Sequence, residues 1–139
     1  MARVIRIDHV AILVENIYET LAFWQDGLGL SLAGLEDVPK EGSRVAFLPV
    51  GESEVELVQP TADGSGLTRY LEKRGPGMHH LCLEVDDIEG MLARLKERGI
   101  QLINEQPLLG MGGRRYAFIH PKSANGVMVE LYELPPEPS

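Results

Sequence analysis

Cysteine is almost absent: Cys82 is the only one in 139 residues. A single thiol excludes an internal disulfide framework and a thiolate-rich zinc site, and its place in an apolar run predicts a core residue rather than a nucleophile. Long apolar runs are missing as well. No stretch approaches the roughly 20 residues of a membrane span, and the start, MARVIRIDHVAILV, lacks the small-residue cleavage pattern of a signal peptide. A cytoplasmic location is therefore expected, with no membrane partner. Basic residues are the third shortage, 13 Lys and Arg against 21 Asp and Glu for a formal charge of −8. Phosphate backbones need a clustered excess of Lys and Arg, so a nucleic-acid partner is excluded. The acidic balance serves solubility. An anionic substrate would have to be met locally, and the basic candidates are Lys73 with Arg74, Arg114 with Arg115, and Lys122.

What is present is enough apolar material, 44%, to pack the core of one domain of this length. The pattern along the chain repeats. Residues 7–14, IDHVAILV, read as a strand. Asn16 then caps a helix with Ile17, Leu21 and Trp24 on one face, and Gly27 and Gly29 mark its stop. Strands are expected at 43–50 and 54–59, joined by a turn at Gly51. After a polar connector at about 61–76, which holds a short helix at 67–74, the opening pattern returns. Residues 79–85 read as a strand, and Asp87 caps a helix with Ile88, Met91, Leu92 and Leu95 on one face, ending at Gly99. Closing strands are expected at 115–120 and 127–132.

The halves are in register. Placing His9 on His80 (80 − 9 = 71) also places Asn16 on Asp87, Ile17 on Ile88 and Leu21 on Leu92, while Val55-Glu56-Leu57 answers Val129-Glu130-Leu131 at an offset of 74 (130 − 56). A three-residue drift is a loop insertion, which repeats tolerate. The expected organisation is one domain over 1–139, with a first module at about 5–60, a second at about 77–133, and a frayed tail at 134–139.

Each half thus offers a His on its first strand and a Glu on its last. A carboxylate inside an apolar strand is costly to bury unless it is paired or bound to a cation, and here the placement occurs twice at matching positions. Two imidazoles and two carboxylates, His9, Glu56, His80 and Glu130, make a good site for a hard-to-borderline divalent ion, with about two positions left open at octahedral geometry for a chelating substrate. His79 and His80 point to opposite faces of their strand, so only one can ligate, and the register selects His80. His120, before Pro121, stands at a rim where substrate contact is expected.

Paired βαβββ modules around a His/Glu/His/Glu set resemble the vicinal oxygen chelate superfamily. The likeness runs from Ile7 to about Glu133, and LEKRGPGMHHLCLEVDDI (71–88) with GMGGRRYAFIHPKSANGVMVEL (110–131) resembles its methylmalonyl-CoA epimerase branch. The resemblance implies an α+β fold, a half-barrel-like curved mixed sheet around a metal site. It also implies an isomerase acting on a CoA thioester, usually a homodimer, with Co²⁺ or else Ni²⁺, Mn²⁺ or Zn²⁺ on those four residues. Glu130 is the implied acid/base, and Lys122 and Ser123 are candidates for the substrate carboxylate or a phosphate. The chain departs from the branch twice: Glu56 stands where many relatives carry Gln, as in bacterial glyoxalase I, and Val45 stands where some epimerases carry a second Glu. Glu41, Glu56 or a water are the remaining candidates for that second proton-transfer group. The competing readings are a glyoxalase I type lyase, an extradiol dioxygenase, which a fourth ligand would over-ligate, and a drug-sequestering binder, which would lack the ligand set.

Overall fold

The computed structural model describes residues 1–136. Its elements are β1 (Val4–Leu13), α1 (Ile17–Leu21), β2 (Gly34–Val38), β3 (Ser43–Val50), β4 (Ser53–Pro60), α2 (Gly66–Arg74), β5 (Gly77–Val85), α3 (Ile88–Glu97), β6 (Leu108–Leu109), β7 (Arg115–Ile119) and β8 (Val129–Glu133). The chain divides into two compact units, 9–79 in one and 1–8 with the chain from 80 onward in the other, so β1 contributes its first half to one and its second half to the other. The fold is α+β with mixed strand pairing.

In the 9–79 unit the strands are ordered β2-β3-β4-β1. β1 and β4 run parallel, with Ala11 opposite Glu56 and Leu13 opposite Val58. β3 lies antiparallel to β4, placing Phe47 opposite Glu56 and Val45 opposite Val58. β2 closes the edge antiparallel to β3, with Glu36 opposite Val45. Because side chains alternate between faces, Ile12, Ala46, Leu48, Val55 and Leu57 share one face, where they form a core with Val14, Ile17 and Leu21. Each fully buried Leu or Ile there contributes on the order of 2 kcal/mol.

The other unit repeats the plan in the order β1-β5-β8-β7-β6. β5 and β8 are parallel, with Cys82 opposite Glu130 and Glu84 opposite Tyr132, and β7 is antiparallel to β8, with Phe118 opposite Glu130 and Tyr116 opposite Tyr132. Its core gathers Val85, Ala117, Ile119 and Leu131 beneath Ile88, Met91 and Leu92 of α3.

Helix starts repeat too. Asn16 Oδ1 accepts the Glu19 N–H at 3.1 Å and Asp87 Oδ1 accepts the Gly90 N–H at 3.0 Å. The first helical N–H groups go to the ends of the last strands, Ile17 to Gln59 Oε1 and Ile88 to Glu133 Oε1, each at 2.9 Å. Gly99, at φ +76°, ends α3 in a conformation costly for other residues. The first helix departs from the expected single run: after Leu21 it widens into a π-helical segment, Ala22–Gly27, in which the Leu28 N–H reaches back five residues to the Phe23 carbonyl. β2 and β6 are the strands that the alternation in the sequence did not show. Leu134 to Pro136 carry no regular structure, and the rest of the expected tail, 137–139, lies outside the described residues.

Candidate metal centre

His9 lies on β1 in the 9–79 unit and is buried, sharing its strand face with Ala11 and Leu13. Glu56 stands on the neighbouring strand on the same face, and its Oε2 is 3.2 Å from His9 Nδ1. Strand parity decides this outcome. Val55 and Leu57, either side of Glu56, turn to the apolar core, which forces the carboxylate to the opposite face.

The other unit builds the same pair. His80 Nε2 is 3.1 Å from Glu130 Oε1, with both side chains mostly shielded from solvent. Val129 and Leu131 turn to the core beneath α3. Phe118, opposite Glu130 on β7, sets its ring edge-on to the His80 imidazole, with centroids 6.0 Å apart. His79 points the other way, as its parity requires, and packs edge-to-face on Tyr70 at 4.9 Å. In each unit an imidazole nitrogen and a carboxylate oxygen already face one another at a distance that a shared cation can bridge. The donor types, neutral imidazole and carboxylate, suit a divalent ion of intermediate hardness, so the residues present fit the metal that the sequence implies.

A polar cluster that the sequence reading did not single out lies on the same face as His80 and Glu130. Arg6 Nε donates to Glu84 Oε1 and its Nη2 to Asp8 Oδ1, both at 2.8 Å, and the Tyr132 hydroxyl donates to the same Asp8 oxygen at 2.9 Å. Burial raises the Tyr132 phenol well above its ordinary value, and the hydrogen bond to Asp8 adds to the shift. Burial alone would lower Arg6, but the Glu84 hydrogen bond and the charges of Asp8 and Glu84 outweigh it and hold the guanidinium above its ordinary value. One member had a sequence signal, since Glu84 sits in LCLEV as Glu56 sits in VELV, while its partners are brought to it only by strand pairing.

The remaining sequence candidates have local roles. His120 Nδ1 accepts the Lys122 N–H at 3.0 Å, and Ser123 Oγ accepts the Gln101 N–H at 2.9 Å, so both shape the turn after β7; Lys122 itself is exposed. Val45 is buried on the Glu56 face of its unit, and Glu41 is an exposed turn residue.

The model of the Glyoxalase/Bleomycin resistance protein/Dioxygenase superfamily matches residues 8–118. The chain belongs to this superfamily. Among its relatives, the ethylmalonyl-CoA/methylmalonyl-CoA epimerase of Cereibacter sphaeroides is 36% identical over 131 residues, covering 93% of this chain and 98% of that protein. The mitochondrial methylmalonyl-CoA epimerase of Mus musculus is 35% identical over 127 residues, covering 91% of this chain and 71% of that one. A solved structure of a single-substitution variant of the Streptomyces coelicolor methylmalonyl-CoA epimerase in complex with 2-nitronate-propionyl-CoA superposes with a TM-score of 0.84 at 29% identity and covers 99% of each chain. Superfamily membership accounts for the paired modules, and the named relatives are epimerases of CoA thioesters.

Proposed function

We propose that this protein is a methylmalonyl-CoA epimerase built as one domain of two modules, with His9, Glu56, His80 and Glu130 as the ligands of a single divalent ion. The observation that carries this reading is the duplicated His–Glu pair, at 3.2 Å in one unit and 3.1 Å in the other, on equivalent strands. The epimerase relatives supply the substrate class.

The C2 proton of the substrate lies between a thioester carbonyl and a carboxylate. Removing it breaks the C2–H bond and sends the electron pair to the thioester oxygen as an enolate. When bound, a divalent cation supplies Lewis-acid stabilisation of that developing charge. Glu130 takes the proton on one face, and reprotonation on the opposite face completes the inversion, so a second acid/base group is required. Phe118 and Tyr116, which meet edge-to-face at 6.0 Å, wall the Glu130 side and limit water. At the mouth, His120, Lys122 and Ser123 would meet the substrate carboxylate or a CoA phosphate. The metal would be Co²⁺, with Ni²⁺, Mn²⁺ or Zn²⁺ as substitutes, and the protein would work as a cytoplasmic homodimer. No helix among the described residues is long and apolar enough to cross a membrane.

The test is proton exchange. Metal-loaded protein with methylmalonyl-CoA in D₂O should introduce deuterium at C2, followed by NMR. A methylglyoxal and thiol mixture runs in parallel. Exchange confined to the CoA thioester supports the epimerase reading, whereas turnover of the hemithioacetal alone assigns the chain to the glyoxalase I branch, toward which Glu56 leans. Sedimentation in the same buffer checks the homodimer.

A further inference from the structure

Superposing the two modules by their strand registers separates what is shared from what is not. The row through each ligand carboxylate is preserved: Ala11, Glu56 and Phe47 in one unit answer Cys82, Glu130 and Phe118 in the other. The next row differs at every position. In the unit from residue 80 onward it reads Glu84, Tyr132, Tyr116 and Leu108. There it is filled by two tyrosine rings and by the Arg6–Asp8–Glu84 ion pairs. In the 9–79 unit the same row reads Leu13, Val58, Val45 and Glu36. Small aliphatic side chains replace the rings, and a carboxylate stands where the other module has Leu108.

Core packing does not require this divergence, since both cores lie on the opposite face. The row that carries rings and ion pairs in one module carries short aliphatic side chains in the other, and Glu36 stands at its end, opposite Val45 on the face of Glu56. Glu36 is exposed, and no hydrogen bond or ion pair is described for it, in contrast to its neighbour Asp37, which pairs with Arg44 at 2.7 Å. An aliphatic floor of Val45 and Val58 suits the substrate's methyl group and keeps water from the enolate.

We propose that Glu36 is the second acid/base group, delivering or removing the C2 proton on the face that Glu130 does not serve. The assignment rests on the epimerase reading above. In one direction Glu130 accepts the proton from C2 and Glu36 returns one to the opposite face of the enolate. In the other direction the roles exchange, with no further reactant.

The experiment compares wild type with Glu36→Gln, each metal-loaded, on the separate (2R) and (2S) thioesters in D₂O, with melting temperature and bound metal measured alongside. Because Glu36 is exposed and unpaired, the variant should keep both the wild-type melting temperature and its metal content. Epimerisation should fall by roughly 100-fold or more, while one epimer, the one whose proton faces Glu130, still exchanges with solvent without inverting. Wild-type epimerisation in the variant, or equal loss of exchange from both epimers, overturns the assignment and leaves the epimerase reading standing. Wild-type protein inert toward both epimers overturns the epimerase reading, and the assignment with it.

Discussion

His79 and His80 are adjacent in sequence and chemically alike, yet the strand sends them to opposite faces. His79 contributes an edge-to-face contact with Tyr70 at 4.9 Å, an interaction worth about 1 kcal/mol beyond burial. His79→Ala should therefore lower stability by about that amount in urea denaturation and leave turnover and metal content near wild type. His80→Ala should lose metal and turnover together, as measured by elemental analysis and the exchange assay. Equal losses in both variants would show that the register argument chose wrongly. Ser43 is a different kind of residue. Its hydroxyl is buried, at 1% exposure, with no hydrogen-bond partner among the described residues. A buried polar group left unsatisfied costs about 1–3 kcal/mol, so Ser43→Ala should be neutral or stabilising by up to about 1 kcal/mol. A loss above that size on denaturation would mean that the hydroxyl has a partner in solution.

At the scale of elements, stability at the helix starts resides in side chains of matching position. Asn16 and Asp87 each satisfy one of the helix's orphan N–H groups. Asn16→Ala and Asp87→Ala should each lower unfolding free energy by about 1 kcal/mol, and the pair should add, since the caps sit in different units and share no partner. Chemical denaturation of the two single variants and the double variant checks this. These caps were legible because capping is local: Asn16 and Asp87 precede apolar residues at helical spacing. The two His–Glu pairs were legible because a Glu between Val and Leu, found twice in register, calls for a partner on the face away from the core. β2 was not legible. GLEDV is short and mostly exposed, so it has no buried face to imprint alternation, and it exists because β3 offers it an edge. β6, two residues long, forms on β7 for the same reason. The Arg6–Asp8–Glu84–Tyr132 cluster escaped notice because its members are scattered along the chain and only strand pairing gathers them. The π-helical end of the first helix left no mark in a pattern that continues through Trp24.

For the molecule as a whole, the proposed metal would take its ligands from both modules, and thermodynamic linkage makes that claim measurable without any substrate. A ligand that binds only the native state stabilises it by RT ln(1 + [L]/Kd), about 4 kcal/mol at a thousandfold excess over Kd. For a chain of this size each kcal/mol moves the melting temperature by roughly 3 °C, so saturating Co²⁺ should raise it by roughly 10 °C and a chelator should reverse the gain. The single-pair alternative is a cation held by only one His–Glu pair, leaving the other as an ordinary imidazole–carboxylate contact. Substitution separates the two. His9→Ala removes a ligand from one unit and His80→Ala from the other. If four ligands share one ion, either variant should shrink the metal-induced shift severalfold, and the double variant should add little to the loss. If one pair binds alone, one single variant should keep the full shift, and the duplicated His–Glu pattern would then record the ancestry of the fold and not its present chemistry.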